Sequence, residues 1–320
     1  MSGVAGPVGG GPLLVAGYAH PCLAAAVAAG LRVGAVEGQG ERFPDGELRP
    51  SVGCVRGRDV YVLASTGPPV HDNLVELMLL LDACRRGGAA RCSAVVAYLG
   101  YARQDRRSRD GQALGLRVVA DALVAAGAER LVVVDPHSVT VEAAFSVPVL
   151  TVTAVPTLAV AVRAGVAHPQ VVVAPDLGAV KLAEHYAALL GLPVAVVRKS
   201  RLTGAAVKAE DLVGAVTGLA PLVVDDMIST GGTVEAAVQL ALHGGARPEI
   251  TVAATHGLFV GPAADRLRAL PIRRLLVTDT LPRTELGLPV VTGVSVAGVL
   301  ADAISRLHRG APVDDLVSRA

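Results

Sequence analysis

The chain predicts an α/β fold with mostly parallel sheets, and three observations carry that prediction. Short β-branched runs alternate with longer Ala- and Leu-rich stretches of helical period. Polar groups follow directly after the apolar runs, as in LVVVDPHS, VVVAPDLG and LVVDDMIST. In open α/β sheets, ligands sit beyond the carboxyl ends of strands. The same recurrence is a weak internal echo, and it divides the 320 residues into two similar halves.

Taken in order, strands are expected at Leu13–Ala16, Val60–Ala64, Ala94–Tyr98, Leu131–Val134 and Val171–Ala174. Further strands are expected at Val194–Val197, Leu222–Val224, Ile250–Ala253 and Leu275–Val277. Helical spacing marks Leu74–Arg86, Leu114–Ala126, Ala179–Leu190, Val234–Leu242 and Ala297–His308. No low-complexity linker divides the chain, and the softest boundary lies near Pro148–Pro156. Residues 1–12 are Gly-rich and lack a basic start and an unbroken apolar run. They read as a disordered lead-in and not as a signal peptide.

Composition excludes several classes. A hydrophobic fraction of 52% against 18% charged gives enough apolar surface for a large core. A net charge of +1 argues against a global nucleic-acid or membrane field. Charges, Gly or Pro break every apolar run before membrane-spanning length. Cys22, Cys54, Cys84 and Cys92 show no CxxC or metal-ligand spacing and read as free thiols of a cytoplasmic protein.

The most informative stretch is Leu222–Val234, LVVDDMISTGGTV. An apolar strand runs into Asp225 and Asp226, then into Ser229, Thr230, Gly231, Gly232 and Thr233, and a helix opens behind them. A strand that turns into a helix aims unpaired N–H groups at one spot, which suits a phosphate. The glycines permit close approach and the hydroxyls donate. Paired carboxylates suit sugar hydroxyls or Mg²⁺. The combination fits a phosphorylated sugar. An ordinary turn with acidic caps is the bland alternative, and the loop carries no Walker A pattern.

The remaining motifs are weaker one by one. Phe43-Pro44-Asp45-Gly46-Glu47 sets an aromatic face beside carboxylates that can accept from a purine amine, or is a plain turn. Arg103, Gln104 and Asp105, within Tyr101–Arg107, suit triphosphate oxygens, or form a solvated basic loop. His137 in Asp135–Ser138 and Asp176 before Gly178 suit a shared divalent metal; alone, each reads as a structural hydrogen-bonding group or a helix cap. Lys199 and Arg201 precede a polar stretch, Leu202–Val213, and such cations can close over phosphates, or are plain surface charge.

Identity and order together are more specific. FPDGE, DNLVELMLLLDACRR (Asp72–Arg86), YARQDR, DPHS, APD-G, RKSR, VVDDMISTGGT, ATHGLF (Ala254–Phe259) and TDT (Thr278–Thr280) resemble the ribose-phosphate diphosphokinase family. The likeness runs from about Phe43 to Ser295–His308. It implies two tandem phosphoribosyltransferase-like (Rossmann-like) domains. These would be an ATP-binding domain at 13–152 with a returning helix at 295–310, and a ribose-5-phosphate-binding domain at 153–294. It also implies a homo-oligomer, dimer-based and extending to a hexamer, with the FPDGE loop serving a neighbouring subunit. By position, Phe43, Asp45 and Glu47 would hold adenine, and Arg103, Gln104 and Asp105 would contact ATP. His137 and Asp176 would bind Mg²⁺, and Lys199 and Arg201 would be catalytic. Asp225 and Asp226 would bind ribose hydroxyls, and Ser229 to Thr233 the 5-phosphate. The implied reaction is attack of the sugar 1-hydroxyl on the β-phosphorus of ATP, with AMP leaving.

The chain departs from the family pattern at four places. Ala113 and Gly115 replace a Pro and a hydroxyl in a region that helps build the allosteric phosphate/ADP site of bacterial members. Leu177 stands where some members carry Lys, and Ser200 is the middle residue of the basic triplet. Three alternatives follow. A phosphoribosyltransferase that consumes the diphosphorylated sugar would leave YARQDR, DPHS and RKSR without purpose. A non-catalytic synthetase-associated subunit would not be expected to keep the acid pair and the basic loop. A specialised paralogue would use a modified sugar phosphate.

Overall fold

The computed structural model describes residues 10–165, 169–201, 208–282, 287 and 290–317. Residues 1–9 of the expected lead-in, and 202–207 of the polar stretch after Arg201, lie outside the described residues. Two compact units emerge. The first holds Met1–Thr153, Thr280–Pro282 and Ser295–Arg319, and the second holds Ala154–Asp279 and Arg283–Val294.

The first unit runs β1 (Leu13–Ala16), α1 (Pro21–Leu31), β2 (Ala35–Glu37), β3 (Gln39–Arg42), β4 (Leu48–Ser51), β5 (Asp59–Ala64), α2 (Val70–Arg86) and β6 (Arg91–Val96). It continues with α3 (Gly115–Ala126), β7 (Arg130–Val134), α4 (Val141–Ala144) and β8 (Val149–Val152). Six strands form one sheet in the order β2-β1-β5-β6-β7-β8, and every pair in it is parallel. β5 and most of β7 are buried throughout, which is why they read as unbroken apolar runs. β3 and β4 stand apart as an antiparallel hairpin.

The second unit runs α5 (Val155–Arg163), β9 (Val171–Ala174), α6 (Val180–Leu190), β10 (Val194–Arg201), β11 (Lys208–Val213), β12 (Pro221–Ile228) and α7 (Gly232–His243). Then come β13 (Ile250–Gly257), α8 (Ala263–Arg268), β14 (Ile272–Thr278) and β15 (Val291–Val294). Its sheet order is β11-β10-β9-β12-β13-β14-β15, with β10–β11 the antiparallel pair. The expected strand at Leu222–Val224 is longer than its apolar run. β12 continues to Ile228 because Met227 and Ile228 pair with His256 and Gly257 of β13, so Asp225 and Asp226 lie within a strand and not in a loop.

The last helix, α9 (Ala297–Arg309), belongs to the first unit. It buries Leu300, Ala301, Ala303 and Ile304, a helical stripe. It lies against α1 so closely that a Cβ at Gly30 would stand 2.9 Å from that of Ala301. His308 Nδ1 lies 2.8 Å from Asp59 Oδ2 at the start of β5.

Candidate functional site

In the second unit the chain leaves β9 for β10 on one side and returns to β12 on the other. The crevice between β9 and β12 is therefore a switch point, where loops diverge and a ligand fits. Val173 pairs with Val223, so the turn after β9 brings Asp176 level with Asp225 and Asp226. Asp176 Oδ1 accepts the N–H groups of Gly178 (2.8 Å) and Ala179 (3.2 Å), which fixes it at the start of α6. Asp225 Oδ1 accepts the N–H of Asp226 at 2.9 Å. Burial first, then the negative charges of Asp226 and Asp176, hold the Asp225 carboxyl well above the usual carboxylate range. The three carboxylates thus form an acidic group able to accept several hydroxyl donors, although among the described residues no three His, Cys, Asp or Glu side chains are arranged to hold a metal ion.

Beside them, Ser229 and Thr230 lead into Gly231, whose φ of 78° is the left-handed conformation that lets the chain turn into α7. Gly232 and Thr233 open that helix, partly buried. Arg266 of α8 reaches the same loop. It donates to the Thr230 carbonyl at 3.2 Å and pairs with Glu235 at 3.3 Å. A Cβ at Gly232 would stand 3.0 Å from its guanidinium. Sequence reasoning missed Arg266, because nothing near it in the chain marks it.

The backbones of Lys199 and Arg201 pair with Glu210 and Lys208 across β10 and β11. Their side chains lie outside the described residues.

In the first unit, the loops after β6 and β7 meet. Ser138 Oγ donates to Asp105 Oδ2 at 2.7 Å and contacts Thr140 Oγ1 at 2.8 Å. This ties Asp135–Ser138 to the segment of Arg103, Gln104 and Asp105, with Arg103 and Gln104 exposed. Tyr101 (φ 65°) and Asp135 (φ 32°) both adopt positive φ, a conformation that costs free energy and concentrates at functional loops. His137 is exposed on the same loop. His137 and Asp176 belong to different units, and each is described within its own. Gly115 has a steric reason of its own: a Cβ there would stand 2.4 Å from Gln104 Oε1 and 2.9 Å from Tyr101 Cδ1.

Phe43, Asp45 and Glu47 form the tip between β3 and β4. The tip is internally ordered. Phe43 N–H donates to the Glu47 carbonyl (2.8 Å), Gly46 N–H to the Phe43 carbonyl (2.9 Å), and Asp45 Oδ1 accepts the Glu47 N–H (3.1 Å). Arg42 donates to the Gly46 carbonyl at 3.0 Å and pairs with Asp72 of α2 at 3.3 Å. Arg49 lies over the Phe43 ring.

Two family models match the chain. Residues 13–127 match the N-terminal domain of ribose phosphate pyrophosphokinase, and residues 202–317 match the phosphoribosyl synthetase-associated domain. A ribose-phosphate pyrophosphokinase of Rhodopirellula baltica is 40% identical, over 86% of this chain and 88% of its own. One from Aquifex aeolicus is 37% identical, over 96% and 99%. The crystal structure of phosphoribosylpyrophosphate synthetase from Mycobacterium smegmatis matches with a TM-score of 0.87 and 37% identity, covering 94% of this chain and 100% of that one. The chain belongs to the ribose-phosphate pyrophosphokinase family.

Proposed function

We propose that this protein transfers the β,γ-diphosphoryl group of ATP to the 1-hydroxyl of ribose 5-phosphate, giving the 1-diphosphate and AMP. The observation that carries this reading is the carboxylate cluster of Asp176, Asp225 and Asp226 beside the Ser229–Thr233 turn, at the switch point of the second unit. Asp225 and Asp226 accept the ribose hydroxyls. The N–H groups and hydroxyls of Ser229, Thr230, Gly231, Gly232 and Thr233 hold the 5-phosphate. In the first unit, Phe43 offers a ring face to adenine, Asp45 and Glu47 accept from its amine, and Arg103, Gln104 and Asp105 contact ATP. Lys199 and Arg201 stabilise charge in the transferring group.

Asp176 offers the hard carboxylate oxygen that Mg²⁺ prefers, and the acid pair Asp225 and Asp226 adds negative charge beside it. His137 and Asp176 are the residues assigned to hold it. Bound Mg²⁺ supplies charge neutralisation at the phosphate oxygens. Family membership supports a homo-oligomer acting in the cytoplasm. No helix among the described residues is long and apolar enough to cross a membrane.

A second reading, a non-catalytic partner subunit, draws on the synthetase-associated description that matches residues 202–317. Purified protein with Mg-ATP and ribose 5-phosphate, followed by mass spectrometry, separates the two. AMP with a diphosphorylated ribose establishes the transferase. No turnover alone, with turnover regained beside an active relative, establishes the partner subunit.

A further inference from the structure

The motif Asp72–Arg86 has no role in the reaction above, and it lines a cavity. Glu76 of α2 is 4% exposed, and its Oε1 accepts the backbone N–H of Tyr18. Over it opens a cavity of about 280 Å³, bordered by Tyr18, Gly40, Arg42, Leu48, Asp72 and Glu76.

Three features set this cavity apart. Its place is the first. The chain goes from β1 out to β2 and comes back to β5 on the far side, so the loops after β1 and β5 diverge at the first unit's own switch point. Tyr18 follows β1, and α2 follows β5.

Charge is the second. Glu41 is matched by Arg49 at 2.5 Å and Asp72 by Arg42 at 3.3 Å. Among the described residues no cation stands within ion-pair distance of Glu76. Burial raises the proton affinity of Glu76, and the Tyr18 N–H and the charge of Arg42 offset this only in part.

The wall is the third. Tyr18 is 40% exposed, with its hydroxyl end set over Gly40, where a Cβ would stand 2.0 Å from the hydroxyl. Only a residue without a side chain leaves the ring that position. A buried carboxylate, an aromatic face and Leu48 together suit an ammonium group on an apolar body. A metal ion fits less well, since among the described residues no three His, Cys, Asp or Glu groups are arranged to hold one.

We propose that this crevice is a second binding site, for a small organic cation bearing a protonated amine, with Glu76 as its anchor. It is independent of the reaction assigned above. The test is calorimetric titration of the full-length protein with benzylamine, and with benzyl alcohol as the neutral analogue of like shape. Saturable benzylamine binding is expected, at least tenfold tighter than the alcohol and weakened at least tenfold by Glu76→Gln. Tyr18→Ala, which leaves the buried carboxylate in place, should weaken it about three- to tenfold and serves if E76Q does not fold. Benzylamine that fails to bind, binds no better than the alcohol, or binds Y18A as tightly as the parent protein would overturn the proposal.

Discussion

The Arg49 guanidinium lies 5.0 Å from the centroid of the Phe43 ring, and Glu41, its direct cross-strand partner, holds it at 2.5 Å. One face of Phe43 is therefore covered, and a stacking base is left the other. A cation over an exposed ring contributes about 0.5–1 kcal/mol. Arg49→Ala should raise KM for ATP roughly two- to fivefold, with kcat and KM for ribose 5-phosphate nearly unchanged. Steady-state kinetics with each substrate varied checks this; an equal rise in both KM values would show that the whole fold had loosened.

Arg266 should act at the other substrate. It fastens the Thr230 carbonyl and crowds Gly232, so it fixes the turn assigned to the 5-phosphate. Charged hydrogen bonds contribute about 1.5–3 kcal/mol. Arg266→Ala is expected to raise KM for ribose 5-phosphate by about tenfold or more while KM for ATP stays within twofold. Unchanged ribose 5-phosphate kinetics would remove Arg266 from the site.

Asp225 sets activity against stability. Burial and the charges of Asp226 and Asp176 disfavour its ionised form. Asp225→Asn keeps an oxygen for the Asp226 N–H but removes the like-charge repulsion. We expect the variant to melt at a higher temperature than the parent in the absence of ligands, while turnover falls by about 10²-fold or more. A variant that melts lower would show that the carboxylate is needed for folding.

Asp59 sits under α9, with a fully buried side chain. Burial alone would raise its pKa. Hydrogen bonds from Arg91 (2.9 and 2.6 Å), His308 (2.8 Å) and Tyr61 (3.2 Å) outweigh burial and hold it below the ordinary range. A carboxyl with a lowered folded pKa contributes stability that is present above its unfolded pKa. That contribution is lost as pH falls through the folded value. Melting temperature should therefore drop as pH falls below about 4, the ordinary range of an unfolded Asp, and Asp59→Asn should flatten that limb. At pH 7 the variant should lose about 3–5 kcal/mol, since Arg91 keeps a charge without its partner. Calorimetry between pH 3 and 7 tests the slope; a parent-like slope in D59N would assign the acid limb to other groups.

Much of the fold was legible because buried parallel strands are apolar on both faces. β1 and β9 match their expected bounds, and β5, β7, β10, β12, β13 and β14 contain theirs. The elements missed carry a weaker local signal. β3 and β4 read QGER and LRPS, without an apolar run, and take strand form only by pairing with each other. In α1, PCLAAAVAAGL, the apolar residues run almost all round, so no one-sided stripe announces a helix.

The sequence by itself determined the α/β class, the strand ends that carry polar groups, the phosphate-suited turn at Ser229–Thr233 and the family. These are short-range patterns, written within a dozen residues. Only the tertiary structure decided which side chains meet. Asp176 stands beside Asp225 because β9 and β12 are neighbours, though 49 positions separate the two residues. Ser138 finds Asp105 across β6 and β7, Arg266 reaches Thr230 from another helix, and His308 returns to Asp59 from the far end of the chain. Strand order sets those meetings, and strand order is fixed by how the buried faces pack together, which local periodicity does not encode.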